Sequence, residues 1–283
     1  MSAGAAAGDE LAAALSADLA TRLRASPGSQ RIDDGWVVRC EQLAPVHHLN
    51  AIVLGTTAPL DPGSYDADAI EGLARRWQSD RAERCVVIDD EPAAERLVGD
   101  LATRGWERVR TLFMALRVDP AAIGSDARGR MLTEDQLRRL QAECFAEQGF
   151  GPHAASRLPA LLVDAQARMR ATTPSLRFGA APPGGEPASM CTLFLDDDVG
   201  GRRVATVEAV ATLREHRERG LARAAVCAAI RAAGEWRADL IVVPADADDW
   251  PQLLYASLGF APIGRRCQFV RFAARRGSTA TAV

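Results

Sequence analysis

The segment Val204–Ala233, VATVEAVATLREHRERGLARAAVCAAIRAA, decides how the whole chain is read. It opens with apolar residues at strand spacing, crosses a short charged loop and enters an alanine-rich helix. Arg217-Glu218-Arg219-Gly220-Leu221-Ala222 stands at the junction. The first N–H groups of a helix have no acceptor within it, and the helix dipole adds roughly half a positive charge at that end. Gly220 has no side chain to block a ligand, Ala222 a very small one, and Arg217 and Arg219 add permanent positive charge. The junction therefore reads as an anion site. It matches neither the Walker loop nor the dinucleotide fingerprint.

Arg217-x-x-Gly220-x-Ala222 resembles the acyl-CoA pyrophosphate loop of the GNAT superfamily of N-acetyltransferases. Two more pieces line up with it. Val210-Ala211-Thr212 precedes the loop, and Leu254-Tyr255-Ala256-Ser257-Leu258-Gly259-Phe260 resembles the superfamily's closing LYxxLGF turn. The resemblance covers about residues 130–273 and is strongest over 204–264. It implies transfer of an acetyl group from acetyl-CoA to an amine by direct attack in a ternary complex. Val210, Ala211 and Thr212 would pair with the pantetheine arm, and Arg217, Glu218, Arg219, Gly220, Leu221 and Ala222 would hold the pyrophosphate. An amine of pKa about 10 must lose a proton before it attacks, and the departing thiolate gains from receiving one. By the same resemblance Glu208 is the candidate base and Tyr255 the candidate acid. Strand alternation would place Glu208, Val210 and Thr212 on one face. The alternative is a non-catalytic acyl-CoA-binding sensor or scaffold that keeps the loop without turnover.

Composition narrows the rest. The 283 residues are 48% hydrophobic and 25% charged, enough for a sizeable core in one large or two smaller domains. A net charge of −3 gives no positive field to gather nucleic acid or acidic lipid. All 34 basic side chains are arginine, so no lysine chemistry is available. The six cysteines are scattered without a CxxC pair, against a disulfide framework or a metal site. No signal pattern and no apolar run of membrane length is present, so a cytoplasmic protein is expected. The expected partner is a small-molecule or peptide amine, and a homodimer is left open.

In chain order, residues 1–8 are expected to fray, and Leu11, Leu15, Leu19 and Leu23 then mark an amphipathic helix. Strands follow at 36–40 and 51–54, helices at 67–79 and 92–103 around a strand at 85–88, and a strand at 112–117. The second half repeats this order: helix 220–233, strand 240–243, helix 250–257, Gly259-Phe260, strand 268–272. The first copy has TTAPLDPGSYD where the loop should be, with the wrong charge for pyrophosphate. The fold expected is α/β (α+β), with two GNAT-like domains, each a mixed, mostly antiparallel sheet flanked by helices. Residues 1–122 would be the degenerate copy and 123–283 the acetyl-CoA-binding domain. Between them come a linker at 119–130, a helix opened by the Thr133/Gln136 capping pair and broken at 149–152, a helix 153–169 and a hairpin of strands 176–180 and 188–195. Asp196–Gly201 would form the next turn and His47-His48 a loop pair; Asp246, Asp248 and Asp249 would line the acceptor or CoA mouth, or Asp248 would be the N-cap of the next helix, the reading preferred.

Overall fold

The computed structural model describes residues 3–272, except 57, 59, 62, 82, 125 and 149–156. The expected break at 149–152 and the start of the helix predicted from His153 lie outside the described residues. Helix α1 runs Ala3–Ala25, so the helix reaches back through most of the stretch expected to fray. Strands β1 (Gln30–Ile32), β2 (Gly35–Val37) and β3 (Ile52–Leu54) follow, with a 3₁₀ turn at His47–Leu49. Next come α2 (Ala67–Trp77), β4 (Glu83–Ile88), α3 (Glu91–Thr103) and β5 (Glu107–Leu116). The short strand β6 (Gly129–Met131) leads to α4 (Glu134–Glu147), opened by the expected capping box between Thr133 and Gln136, and to α5 (Leu158–Thr172). Strands β7 (Ser175–Ala180), β8 (Ser189–Val199) and β9 (Arg202–Thr212) form a meander. Helix α6 (Leu221–Glu235), β10 (Leu240–Asp246), α7 (Pro251–Ala256) and β11 (Phe260–Phe272) complete the chain. Of the turn expected at Asp196–Gly201, Asp196–Val199 belong to β8, and the chain reverses at Gly200 and Gly201, both at positive φ.

The fold is α/β, and its strands join in one eleven-stranded sheet in the order β1-β2-β3-β4-β11-β5-β10-β9-β8-β7-β6. Among the described residues, only β3–β4 and β9–β10 pair in parallel, each flanking a crossover helix, α2 in one case and α6 in the other. The last strand of each half is exchanged. Strand β5 pairs with β10 of the second half, β11 pairs with β4 of the first, and the two pair with each other at the centre. The sheets expected from the sequence are thus fused through swapped strands.

Alternation along these central strands sends side chains into two layers. On one face Leu112, Met114, Ala205, Val207, Ile241 and Val243 pack under α6 and α7. On the other, Phe113, Val204, Leu240 and Val242 pack under α1. Helix α6 is mostly alanine on its buried side, which lets it lie close to the sheet, with Val226 and Ile230 as its larger anchors. Each such anchor contributes about 1.5–3 kcal/mol by leaving water. Close approach also fixes α1: a Cβ on Gly264 of β11 would come within 2.3 Å of Leu11 Cδ2. No helix among the described residues is long and apolar enough to cross a membrane.

Candidate active site

The parallel ladder between β9 and β10 lasts three residue pairs and ends at Thr206 and Val242. Beyond it β9 follows β8 to Thr212 and β10 follows β5 to Asp246, so the strands diverge. Two local features keep them apart. Pro244 has no N–H with which to resume the ladder. In β9, three steps from Glu208 to Ala211 oppose two steps from Thr192 to Met190, a bulge in which Ala209 takes φ 52°. The bulge also overturns the alternation read from the sequence. Glu208 faces the α1 side, whereas Val210 packs with the cluster under α6 and Ala211 with the cluster around α4.

A cavity of about 400 Å³ fills this split, with walls from both sheet faces. Glu208, Val210, Ala245 and Tyr255 line it, together with Asp18 and Arg22 of α1, His48, Gln166 of α5 and Arg266 of β11. Tyr255 is buried, and its ring stands edge-on to Phe260 with centroids 6.2 Å apart. Burial, and then the neighbouring Cys191, push its phenol well above the usual range, so it holds its proton at neutral pH. Glu208 keeps some surface open to the cavity but lies deep among protein atoms. Burial first, then the Asp18 charge, raise its carboxyl to about 7, while Arg22 and Arg266 act in the opposite direction. A carboxyl so poised can exchange a proton near neutrality.

The α1 side of the cavity is a buried ion cluster. Arg266 donates to Asp18 and, from Nη2, to Asp89 Oδ2 at 3.1 Å. Arg22 Nε donates to Asp18 Oδ1 at 3.1 Å. Burial alone would raise Asp18, but the two guanidinium groups hold it below the usual carboxylate range. His48 is driven down to about 3 by burial and then by Arg22, so it is neutral. The histidine pair is therefore more than a loop feature: His48 lines the cavity, and His47 Nε2 lies 2.6 Å from Glu83 Oε2.

The charged loop leads from the far end of β9 to α6. Gly220 is the N-cap of α6 at φ 73°, with no side-chain cap, and Ala224 N–H is bonded to Gly220 O at 3.1 Å. The N–H groups of Leu221, Ala222 and Arg223 precede that first helical bond. Glu218 also sits at positive φ, 62°. Arg217 folds back, its Nε donating to Thr212 O at 3.1 Å and its Nη2 to Glu147 Oε2 at 3.1 Å. Arg128 Nη1 donates to Arg219 O at 2.7 Å, which brings another guanidinium beside Gly220. Thr212 Oγ1 is buried without a partner among the described residues. A bare helix end, cationic side chains and an orphaned hydroxyl fit a phosphate-bearing ligand.

The acetyltransferase (GNAT) family matches residues 135–260. Residues 135–260 are a GNAT acetyltransferase domain. That GNAT stretch spans the split strands, the loop, α6 and Tyr255. Solved structures share the wider fold. A GCN5-related N-acetyltransferase from Kribbella flavida superposes with a TM-score of 0.58 at 20% identity, covering 95% of this chain and 96% of its own. A tandem GNAT protein from the clavulanic acid biosynthesis pathway gives 0.54 at 19%, covering 92% and 89%. A functionally unknown conserved protein from Staphylococcus epidermidis gives 0.65 at 9%, covering 87% and 93%. No curated protein matches the sequence.

The residues named from the GNAT resemblance fall into two neighbouring groups. Glu208, Val210 and Tyr255 meet at the cavity, while Arg217–Ala222 form the loop and first turn of α6. Ala211 and Thr212 continue β9 toward that loop, paired with β8. Asp248 is not the cap of α7; its carboxylate takes the Arg110 guanidinium, with Nε at 3.2 Å, while Asp249 Oδ1 receives Trp250 N–H at 2.7 Å. Sequence reasoning missed Asp18, Arg22 and Arg266. One signal was present for the first two. Leu11, Leu15, Asp18 and Arg22 share one helical face, so a charged i,i+4 pair interrupts an apolar stripe, where burial demands a partner or a use.

Proposed function

We propose that this chain is an acyl-CoA-dependent N-acetyltransferase that acts on an amine held between β9, β10, α1 and α5. The observation that carries the reading is the single cavity, at the split of a parallel strand pair, which has both Glu208 and Tyr255 in its walls. Glu208, poised to ionise near neutrality, takes the proton of the acceptor amine as its nitrogen bonds to the acetyl carbon. Tyr255, still protonated, gives its proton to the sulfur as the carbon–sulfur bond breaks. The products are the acetamide and free CoA thiol; return of a proton from Glu208 to Tyr255 restores the starting state. Val210, Ala211 and Thr212 would receive the pantetheine arm, and Arg217 to Ala222 the pyrophosphate. In this reading residues 123–283 are the working copy, and residues 1–122 a degenerate copy that supplies α1 and β5 to it.

Release of thiol from acetyl-CoA, measured across a panel of amines, tests the reading. Tyr255→Phe should lower turnover about a hundredfold and leave acetyl-CoA binding intact. Acetyl-CoA binding with no turnover on any amine would favour a sensor. Absence of binding would remove both readings.

A further inference from the structure

The α1 side of the cavity is lined by Arg22, His48 and Gln166, and each has a buried polar atom without a partner among the described residues: Nη1, Nε2 and Oε1 respectively. They come from three separate elements, α1, the 3₁₀ turn at His47–Leu49 and α5, and converge on one chamber with Glu208. A buried polar atom left unmatched costs folding free energy, and a charged donor costs the most. Structural ion pairing does not use these atoms up. Arg266 is occupied by Asp18 and Asp89, and Arg22 gives its Nε to Asp18. The other edge of Arg22 meets no carboxylate among the described residues.

Charge balance says what would fit. Asp18 and Asp89 offset Arg22 and Arg266, which leaves Glu208 as the one further carboxyl among the described residues that line this side of the chamber; Asp246 stands at its exposed rim. A simple amine would meet Glu208 but leave the free edge of Arg22 unmatched. A polyamine would bring a second cation against Arg22. A molecule with an amine and a carboxylate a few atoms apart satisfies both ends, because a guanidinium edge is shaped for a carboxylate.

We infer that the acceptor is an amino acid or a close amino-carboxylate, its amine at Glu208 and its carboxylate on Arg22, with His48 and Gln166 completing the polar wall. This rests on the reading of the cavity as the acceptor site. Arg22 is then a specificity-determining residue, and the chamber a zwitterion site.

Matched probes test it with the full chain: L-leucine against isoamylamine, L-phenylalanine against phenethylamine, and each amino acid against its amide. Binding is measured by calorimetry with and without acetyl-CoA, and kcat/KM by thiol release. At least one amino acid should bind and react tenfold or more better than both its decarboxylated and its amide partner. In Arg22→Gln that ratio should fall toward one. Unliganded melting and acetyl-CoA binding of the variant, measured alongside, show that it is folded. Equal or better use of the decarboxylated amines, binding of neither member of any pair, or an unchanged ratio in folded Arg22→Gln would overturn the inference. If acetyl-CoA binds and the pairs are indifferent, the zwitterion site fails alone. If amino acids bind and acetyl-CoA does not, the acetyltransferase reading fails instead.

Discussion

The two halves of the chain repeat one plan but differ at a helix end and in how far their strands run. In the first, β3 pairs in parallel with β4 over three residues, and α2 crosses between them; in the second, β9, β10 and α6 do the same. Helix α2 caps itself: the Asp66 carboxylate accepts Ala69 N–H at 2.8 Å. That bond uses an N–H group an anion would need, and the carboxylate repels phosphate. Helix α6 starts at Gly220 with no such cap. The strands differ too. β3 stops at Leu54, where its ladder stops, whereas β9 and β10 both run on past theirs and wall a cavity. On the proposed reading, one capping side chain and a few residues of strand separate a copy that binds acyl-CoA from one that does not.

The largest effect is expected at the cavity wall where β9 and β10 part. Glu208→Gln should lower kcat/KM by about 10²- to 10⁴-fold. The wild-type rate should rise with pH to an inflection near 7, and that limb should vanish in the variant. An unaltered pH profile would leave Glu208 without a role as base.

Next in size is the helix end. Acetyl-CoA at a hundredfold excess over its Kd should stabilise the wild type by about 2.7 kcal/mol in thermal or denaturant unfolding. Gly220→Asp puts a carboxylate where the first copy has one, in a residue that tolerates the left-handed region, and should abolish that increment. If the increment survives, the loop is not the phosphate site.

The mirror change is smaller. Asp66→Ala should cost about 1 kcal/mol of stability through loss of the cap and leave both acetyl-CoA affinity and a stoichiometry of one untouched. Titration calorimetry that found altered affinity or a second site would contradict the division of labour.

The remaining effect is on stability against pH. Native Glu208 keeps its proton up to about 7, whereas in the unfolded chain it ionises near ~4.3. Between those values the native state binds more protons, so wild-type stability declines as pH rises through that window. Glu208→Gln should therefore melt with the wild type at pH 4 and a few degrees above it at pH 8. A variant that melts lower at pH 8 would show that the carboxyl is not raised in the native state.

Much of the fold was legible because its signals are local. The apolar spacing of α1, the capping box of α4, the Pro-Pro-Gly-Gly hairpin and the repeated helix–strand–helix–Gly–strand order all stand in neighbouring residues. The Arg-x-x-Gly-x-Ala loop and LYxxLGF turn are local as well, and they marked the GNAT domain. What escaped depends on distance. The bulge at Ala209 carries no residue that announces it, and it moved Val210 off the face of Glu208. Asp248 looked like a cap only because Arg110, 138 residues earlier, could not be seen beside it.

The sequence alone determined the repeated element order and the glycine at the start of α6, and it offered Glu208 and Tyr255 as candidates for proton transfer, since each follows from short-range backbone geometry and side-chain chemistry. Tertiary structure alone decided that β5 and β11 change places, and that Asp18, Arg22, His48 and Arg266 from both ends of the chain meet Glu208. Strand exchange is a choice among pairings with similar ladder hydrogen bonds, settled by which faces α1 and α6 can bury together. Ionisation at Glu208 follows from that choice, because burial and the Asp18 charge exist only once the strands have paired.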